Sequence, residues 1–277
     1  MTEKERRRQE KLVPLSKALS LKGKTALISG ASSGIGKAMA HRFAEAGAHL
    51  VLVDVDEQGL CNTRDDLAHF HESDKHIHKV DLCHKIQIDA LWEKLQDNLP
   101  DIIVNNAGIY PFQDFLEVNA EFLERTLNIN LNSVFWMCQN FIKRRKQDKK
   151  GGIIVNISSI EAILPFKEDL VQYSISKIGV IALTRSLARD YGKKGFRVNV
   201  ILPGAIKTPG TSSLAKDAIA NFRVNLIKTG YDFQQRLALG RWGDPDEIAK
   251  VALFLSSDLA SYMQGAVLPV DGGFLST

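Results

Sequence analysis

The chain has 277 residues, 44% of them hydrophobic and 25% charged, and a formal charge of +4. These ordinary globular values suit one large α/β domain or two small ones, and no stretch is apolar for long enough to span a membrane as a helix. Cys61, Cys83 and Cys138 are few, odd in number and far apart, which argues against a disulfide framework and fits a reducing cytoplasm.

Residues 1 to 20 read as a basic extension carrying Lys4, Arg6, Arg7, Arg8, Lys11 and Lys17, without the apolar core or cleavage site of a secretory signal. A solvated tail, flexible or partly helical, explains it better than contact with nucleic acid or a lipid surface. From residue 21 to 277 the pattern is that of one domain. Thr25-Ala26-Leu27-Ile28-Ser29 is a short apolar run of the kind buried in a parallel sheet. The glycine-rich turn Gly30-Ala31-Ser32-Ser33-Gly34-Ile35-Gly36 follows, then a helical stripe of Ala38, Phe43 and Ala46 that stops at Gly47.

Leu50 to Asp54 is a second buried strand, and after a polar helical stretch Ile77 to Val80 is a third, closing with Asp81 and Leu82. His76 and His78 share a strand face near Cys83 and His84, but the spacing completes no chelating set, so a solvated strand edge is expected and no metal. Ile102-Ile103-Val104 is a fourth strand, ending in Asn105-Asn106-Ala107-Gly108. A long helix runs through Phe122, Leu127 and Phe135, and the basic residues Lys143-Arg144-Arg145-Lys146, with Lys149 and Lys150, are expected in a solvated loop after it. That loop is the place where an acidic carrier would dock, if one does.

Ile153 to Ile157 is a fifth strand, a helix carries Tyr173 on to Tyr191, and Val198 to Leu202 is a sixth strand stopped by Pro203-Gly204. A helical excursion over about 209–238, a helix from about Pro245 to Ser256 and the strand Val267 to Val270 complete the chain. Strands and helices alternating throughout predict one doubly wound parallel sheet with no internal boundary.

The glycine turn fails the nucleotide triphosphate pattern at Ala31 and Ala38, and fails Gly-x-Gly-x-x-Gly at Met39. Gly30-x-x-x-Gly34-x-Gly36 is a looser spacing that still sets bare backbone against a pyrophosphate at a helix N-terminus. Asp54 ends the next strand, where a carboxylate accepts hydrogen bonds from ribose hydroxyls and repels a 2′-phosphate. Ser33 and Val55 stand where a phosphate-binding cation would be, so NAD is expected over NADP. The bland alternative for Asp54 is a turn or capping residue.

Tyr173 and Lys177 lie four apart on one helix and so share a face. An ammonium beside a phenol favours the phenolate and is expected to lower its pKa towards a working general acid–base. With the glycine turn, the pair reads as a nicotinamide-dependent dehydrogenase in which a tyrosine moves the proton while the cofactor moves hydride.

Gly30/Gly34/Gly36, Asn105-Asn106-Ala107-Gly108, Tyr173/Lys177, Pro203-Gly204-x-x-x-Thr208 and Asp271-Gly272-Gly273 occur in this order. In that ordered set the chain resembles the short-chain dehydrogenase/reductase family, in its single-domain branch, over roughly residues 20 to 275. The resemblance implies a Rossmann-type domain with a seven-stranded, mostly or wholly parallel sheet and helices on both faces. It also implies a working group of Asn130, Ser159, Tyr173 and Lys177. Tyr173 would exchange the substrate proton, Lys177 would hold the nicotinamide ribose, Ser159 would bind the reacting oxygen and Asn130 would hold a relay water. Ser158 is the nearest competitor of Ser159.

The resemblance places Gly30, Ser32, Ser33, Gly34, Ile35 and Gly36 at the pyrophosphate, Asp54 at the ribose, and Asp81 with Leu82 at adenine. Asn106, Ala107 and Gly108 would lie by the adenosine ribose, with Asn105 bracing the sheet. Pro203, Gly204, Ile206 and Thr208 would meet the nicotinamide end. Ser29 stands where the family usually has Thr and keeps the hydroxyl.

The substrate pocket is expected from Tyr110, Phe112, Ile160 to Phe166 and the 209–238 excursion, whose Phe222, Leu226, Ile227, Tyr231 and Phe233 suit a lid over an apolar or mixed substrate. Glu161 is a candidate specificity residue. The expected substrate is a small secondary alcohol or its ketone, and the expected assembly is a homotetramer pairing the Asn130 and Tyr173 helices with their mates. Two rival readings are a 3-oxoacyl-thioester reductase, which Asp54 disfavours, and a catalytically silent dinucleotide sensor, which the intact Asn/Ser/Tyr/Lys set disfavours.

Overall fold

The structure is a computed structural model that describes residues 13–211 and 234–277. Seven strands alternate with helices: β1 (Thr25–Ser29), β2 (His49–Asp54), β3 (Lys75–Lys79), β4 (Ile102–Asn105), β5 (Gly152–Ile157), β6 (Phe196–Pro203) and β7 (Val267–Val270). They form one sheet in the order β3-β2-β1-β4-β5-β6-β7, and every neighbouring pair is parallel. The helices that fix the site are α1 (Leu15–Leu19), α2 (Gly34–Glu45), α3 (Glu57–Asp66), α4 (Lys85–Lys94), α5 (Ala120–Leu127), α6 (Ser133–Gln147), α7 (Val171–Tyr191) and α8 (Pro245–Ser256).

Both faces of the sheet are covered, which is why its central strands are apolar without alternation. In β1, Leu27 packs into one core layer with Trp92 of α4, Phe141 of α6 and Val180 of α7. Its neighbours Ala26 and Ile28 pack into the other layer with Phe43 of α2, Leu60 of α3 and Ile248 of α8. Strand order reverses between β1 and β4, so a crevice opens beyond their carboxyl ends, the usual ligand position in such sheets.

Three features depart from the sequence expectations. β3 begins at Lys75 and stops at Lys79, because it is an edge strand bonded only to β2 and so reads Lys-His-Ile-His-Lys rather than apolar. The basic run at 143–146 lies in the last turns of α6, not in a loop. Arg145 there is buried, donates to the Gly151 carbonyl at 2.8 Å and pairs with Asp101 at 3.1 Å, and Arg144 pairs with Glu93 at 2.5 Å. Cations suit a helix C-terminus, where the carbonyls carry partial negative charge, and these two are spent on structure. The long helix through Asn130 is interrupted by a π-helical turn at Asn128–Asn132 between α5 and α6. At the end of the basic N-terminal stretch, α1 buries Ala18, and just beyond it the Leu21 amide donates to the Ala46 carbonyl at 2.8 Å.

Phe222, Leu226, Ile227, Tyr231 and Phe233 of the expected lid lie outside the described residues. Among the described residues no helix is long and apolar enough to cross a membrane, and no cluster of three or more His, Cys, Asp or Glu could hold a metal ion.

Candidate active site

The turn after β1 is shaped by close packing. Gly36 allows the first turn of α2 to lie on the Gly30 carbonyl, since a Cβ there would fall 1.9 Å from that oxygen. Gly34 takes φ +52°, a conformation that disfavours L side chains, and its bare face lies against Thr208, 3.3 Å from where a Cβ would sit. Ser33 precedes α2 in extended backbone without a side-chain cap. Ser32, Ser33, Gly34 and Ile35 therefore stand where the first turn of α2 meets the crevice, and helix N–H groups there suit an anion.

Side chains at the strand ends brace this turn. The Ser29 hydroxyl accepts hydrogen bonds from the Asn106 and Ala107 amides at 3.0 and 3.1 Å. The Asn106 amide group donates to the Ser29 and Gly30 carbonyls at 3.0 and 3.2 Å. Asp54 accepts from the Ser32 and Asp56 amides, both at 3.1 Å, so the turn-residue role is real. A carboxylate has further lone pairs, which leaves acceptor capacity for a ribose hydroxyl. Asp81 accepts from the Cys83 amide at 2.9 Å, and Leu82 is buried in the core. Beyond Pro203, a Cβ on Gly204 would fall 2.7 Å from Asp271 Cα, Ile206 is buried, and Thr208 bonds Thr211.

Opposite the glycine turn, β5, α7 and the π turn converge. Ser159 follows β5; its hydroxyl accepts from the Glu161 amide at 3.2 Å and lies near enough to the Tyr173 phenol to favour the phenolate. Ser158 donates to the Lys177 carbonyl at 2.7 Å and so spends its hydroxyl on α7. Lys177 Nζ lies 5.7 Å from the Tyr173 ring centroid and donates to the Ile157 carbonyl at 3.2 Å. Asn130 is fully buried and clasps the Ile109 backbone, accepting from its amide at 2.8 Å and donating to its carbonyl at 2.9 Å. A Cβ on Gly108 would stand 3.2 Å from Asn130 Oδ1 and 3.3 Å from Lys177 Nζ, so Gly108 leaves a gap between them.

Asn105 turns away from the cleft and donates to Asn156 at 2.8 Å, and Asn156 donates to Thr184 at 2.9 Å. This buried chain ties β4 to β5 and α7, which holds Ser159 in register with Tyr173.

The electrostatics differ from the expected lowering of the phenol. Burial pushes Tyr173 above its ordinary value; the Ser159 hydrogen bond pulls it down, and the Glu161 charge adds to the rise. Burial also brings the Lys177 ammonium down to about 8. Desolvation disfavours both charged forms at once, so the pair as it stands holds a neutral phenol beside an amine that titrates close to neutrality.

Two side chains extend the pocket. Tyr110 meets Tyr173 edge-on with centroids 4.6 Å apart. Lys167, one residue past the expected wall, sits 5.4 Å from the Tyr110 ring, 5.9 Å from Phe112 and 5.6 Å from Phe166. Its only sequence signal is a cation following aromatics, which does not separate it from a surface lysine.

Residues 30–275 match the family model described as enoyl-(acyl carrier protein) reductase. The chain is 33% identical to the 3-oxoacyl-(acyl-carrier-protein) reductase FabG of Aquifex aeolicus, over 92% of this chain and 98% of the relative. It is 34% identical to the NAD-dependent glycerol dehydrogenase of Listeria innocua, over 93% and 96%. A solved structure from Beutenbergia cavernae, assigned as an NAD(P)-dependent gluconate 5-dehydrogenase with NADP bound at low occupancy, superposes with a TM-score of 0.85 at 32% identity. That superposition covers 94% of this chain and 100% of the other.

Proposed function

The chain belongs to the short-chain dehydrogenase/reductase family of oxidoreductases, and on that premise we propose that it moves hydride between NAD(H) and a secondary alcohol or ketone, with Tyr173 as general acid–base. The observation that carries this reading is the convergence of Ser159 and Lys177 on Tyr173, across one crevice from the glycine turn.

The residues fit a dinucleotide. Bare backbone at Gly34 and the N-terminus of α2 suit the pyrophosphate, Asp54 suits a ribose diol, and Lys177, lying against the bare backbone of Gly108, suits the second ribose. When bound, nicotinamide supplies the hydride acceptor or donor. Ser159 orients the reacting oxygen. Tyr173 takes its proton as an alcohol is oxidised, or gives one as a ketone is reduced. Lys177 offsets negative charge on the phenolate, and Asn130 holds the backbone around Ile109, where a relay water would sit. Deprotonating a buried phenol is costly, and the neighbouring amine is the group placed to offset that cost.

NAD preference rests on Asp54, whose charge opposes a 2′-phosphate. Fluorescence titration should show NADH binding at least about tenfold more tightly than NADPH; the reverse order would overturn that preference. A panel of secondary alcohols and ketones should show turnover with the bound nucleotide, and a protein that binds nucleotide but turns over none would be a sensor instead.

Similarity to FabG favours a second reading, reduction of a 3-oxoacyl thioester. Acetoacetyl-CoA separates the two, since only the second reading makes it the preferred substrate. Phe135, Ile142, Leu183 and Leu187 line a groove of about 710 Å³ between α6 and α7, and Phe135, Ile175 and Ile178 are exposed. A homotetramer pairing these helices with their mates would cover them. Light scattering that shows a monomer at micromolar concentration would rule the assembly out.

A further inference from the structure

Glu161 is only 1% exposed, yet its Oε2 has no hydrogen-bond partner. Oε1 accepts from the Phe166 amide at 3.2 Å, and the neighbouring Lys167 backbone also favours the ionised carboxylate. The loop thus grips one side of the group and leaves an acceptor over. Buried acceptors are nearly always satisfied, and one left open beside a reaction centre marks where a ligand donor belongs. The Glu161 amide donates to the Ser159 hydroxyl at 3.2 Å, and Tyr110 packs edge-on against Tyr173, which sets Glu161 beside the group that would hold the reacting oxygen, on the side of the neighbouring substrate carbon.

Three features define what fits. Burial works against the charge on Glu161, but the loop amides and Lys167 favour the ionised form, and an ionised carboxylate only accepts, so the ligand atom must be a donor. It need not carry charge, because Lys167 already acts electrostatically on Glu161 from its cage of Tyr110, Phe112 and Phe166. The rest of the ligand meets the edge-to-face Tyr110 and Phe112 rings, whose centroids are 5.0 Å apart and which suit the C–H faces of a small carbon skeleton. The loops are held around this space: the Gln113 amide donates to the Asp169 carbonyl at 3.0 Å and Gln172 donates to the Pro111 carbonyl at 3.0 Å.

We propose that Glu161, balanced by Lys167, recognises a hydroxyl on the carbon adjacent to the reacting carbinol, so that the substrate is a small neutral polyol or its α-hydroxy ketone. A 3-oxoacyl thioester fits poorly, since it presents hydrogens on the adjacent carbon and then a carbonyl, an acceptor facing an acceptor. This inference rests on the oxidoreductase reading and narrows its substrate.

Hydroxyacetone and butanone differ by a hydroxyl in place of a methyl, and their reduction is followed by loss of NADH absorbance. The wild-type kcat/KM should favour hydroxyacetone by at least about tenfold, the worth of a hydrogen bond to a buried charged group. Glu161→Leu should bring the ratio near one, and Glu161→Gln, which keeps the shape and one acceptor oxygen, should fall between. Should the leucine variant not fold, the wild-type ratio and Glu161→Gln decide. A wild-type ratio near one, a ratio unchanged in the variants, or a preference for aminoacetone over hydroxyacetone overturns the inference and leaves the oxidoreductase reading standing. Absence of turnover with every ketone while NADH still binds overturns both.

Discussion

Around the glycine turn the polar groups of the brace are matched: Ser29 accepts two amides, Asn106 donates to two carbonyls and Asp54 accepts two more amides. Around Tyr173 the balance is reversed. A buried phenol, a buried ammonium and a buried carboxylate each have their charged form disfavoured, and Glu161 Oε2 has no donor. The first region is rigid backbone prepared for a ligand that supplies its own charge. The second stores unfavourable ionisation that a bound substrate and nucleotide can relieve, which is how pKa values are commonly tuned at reaction centres.

Lys177→Met breaks the contrast most sharply. Turnover should fall by about 10³-fold, within the usual contribution of acid–base groups, while the fold gains about 1–3 kcal/mol because an ammonium that burial disfavours is gone. The pH dependence has a definite sign. The folded value of about 8 lies below the ordinary 10.5, so between them the unfolded chain holds more protons and wild-type stability rises with pH. Chemical denaturation at intervals from pH 7 to about 11 should show that rise in the wild type and its loss in the variant.

Gly36→Ala tests the rigid side. Its Cβ would meet the Gly30 carbonyl at 1.9 Å, and a backbone oxygen cannot swing aside, so urea unfolding should report a loss of at least about 3 kcal/mol. Asn156→Ala tests the link between the regions. It strips the Asn105 amide and Thr184 of a buried partner and should cost about 1–3 kcal/mol by the same measurement. The smallest effect is expected from Asp54→Asn, which keeps an acceptor for Ser32 but removes the charge. The preference for NADH over NADPH should shrink by about tenfold in a fluorescence titration.

The two regions were also unequally legible. β1, β2 and β4 to β7 are short apolar runs because both sheet faces are buried, and the glycines of the turn stand out because close packing admits no side chain at Gly36. Tyr173 and Lys177 follow from helical spacing. The direction in which the phenol shifts does not, since it depends on desolvation that three-dimensional packing alone decides. The π turn at Asn130 is not legible either, because Asn128-Ile129-Asn130-Leu131-Asn132 merely alternates polar and apolar residues. β3 is longer than its apolar residues suggest because an edge strand needs no apolar alternation. The basic run on α6 reads as a solvated loop because Asp101 and Glu93, which pair with Arg145 and Arg144, are 44 and 51 positions away in the chain.

The central claim is that the Tyr173 hydroxyl carries the proton while nucleotide binding is built elsewhere. Tyr173→Phe removes that oxygen and little else, so single-turnover oxidation of bound NADH by a ketone that the wild type reduces tests it directly. The expected rate is lower by about 10²–10⁴-fold with NADH affinity unchanged. A variant that oxidises NADH at the wild-type rate would contradict it.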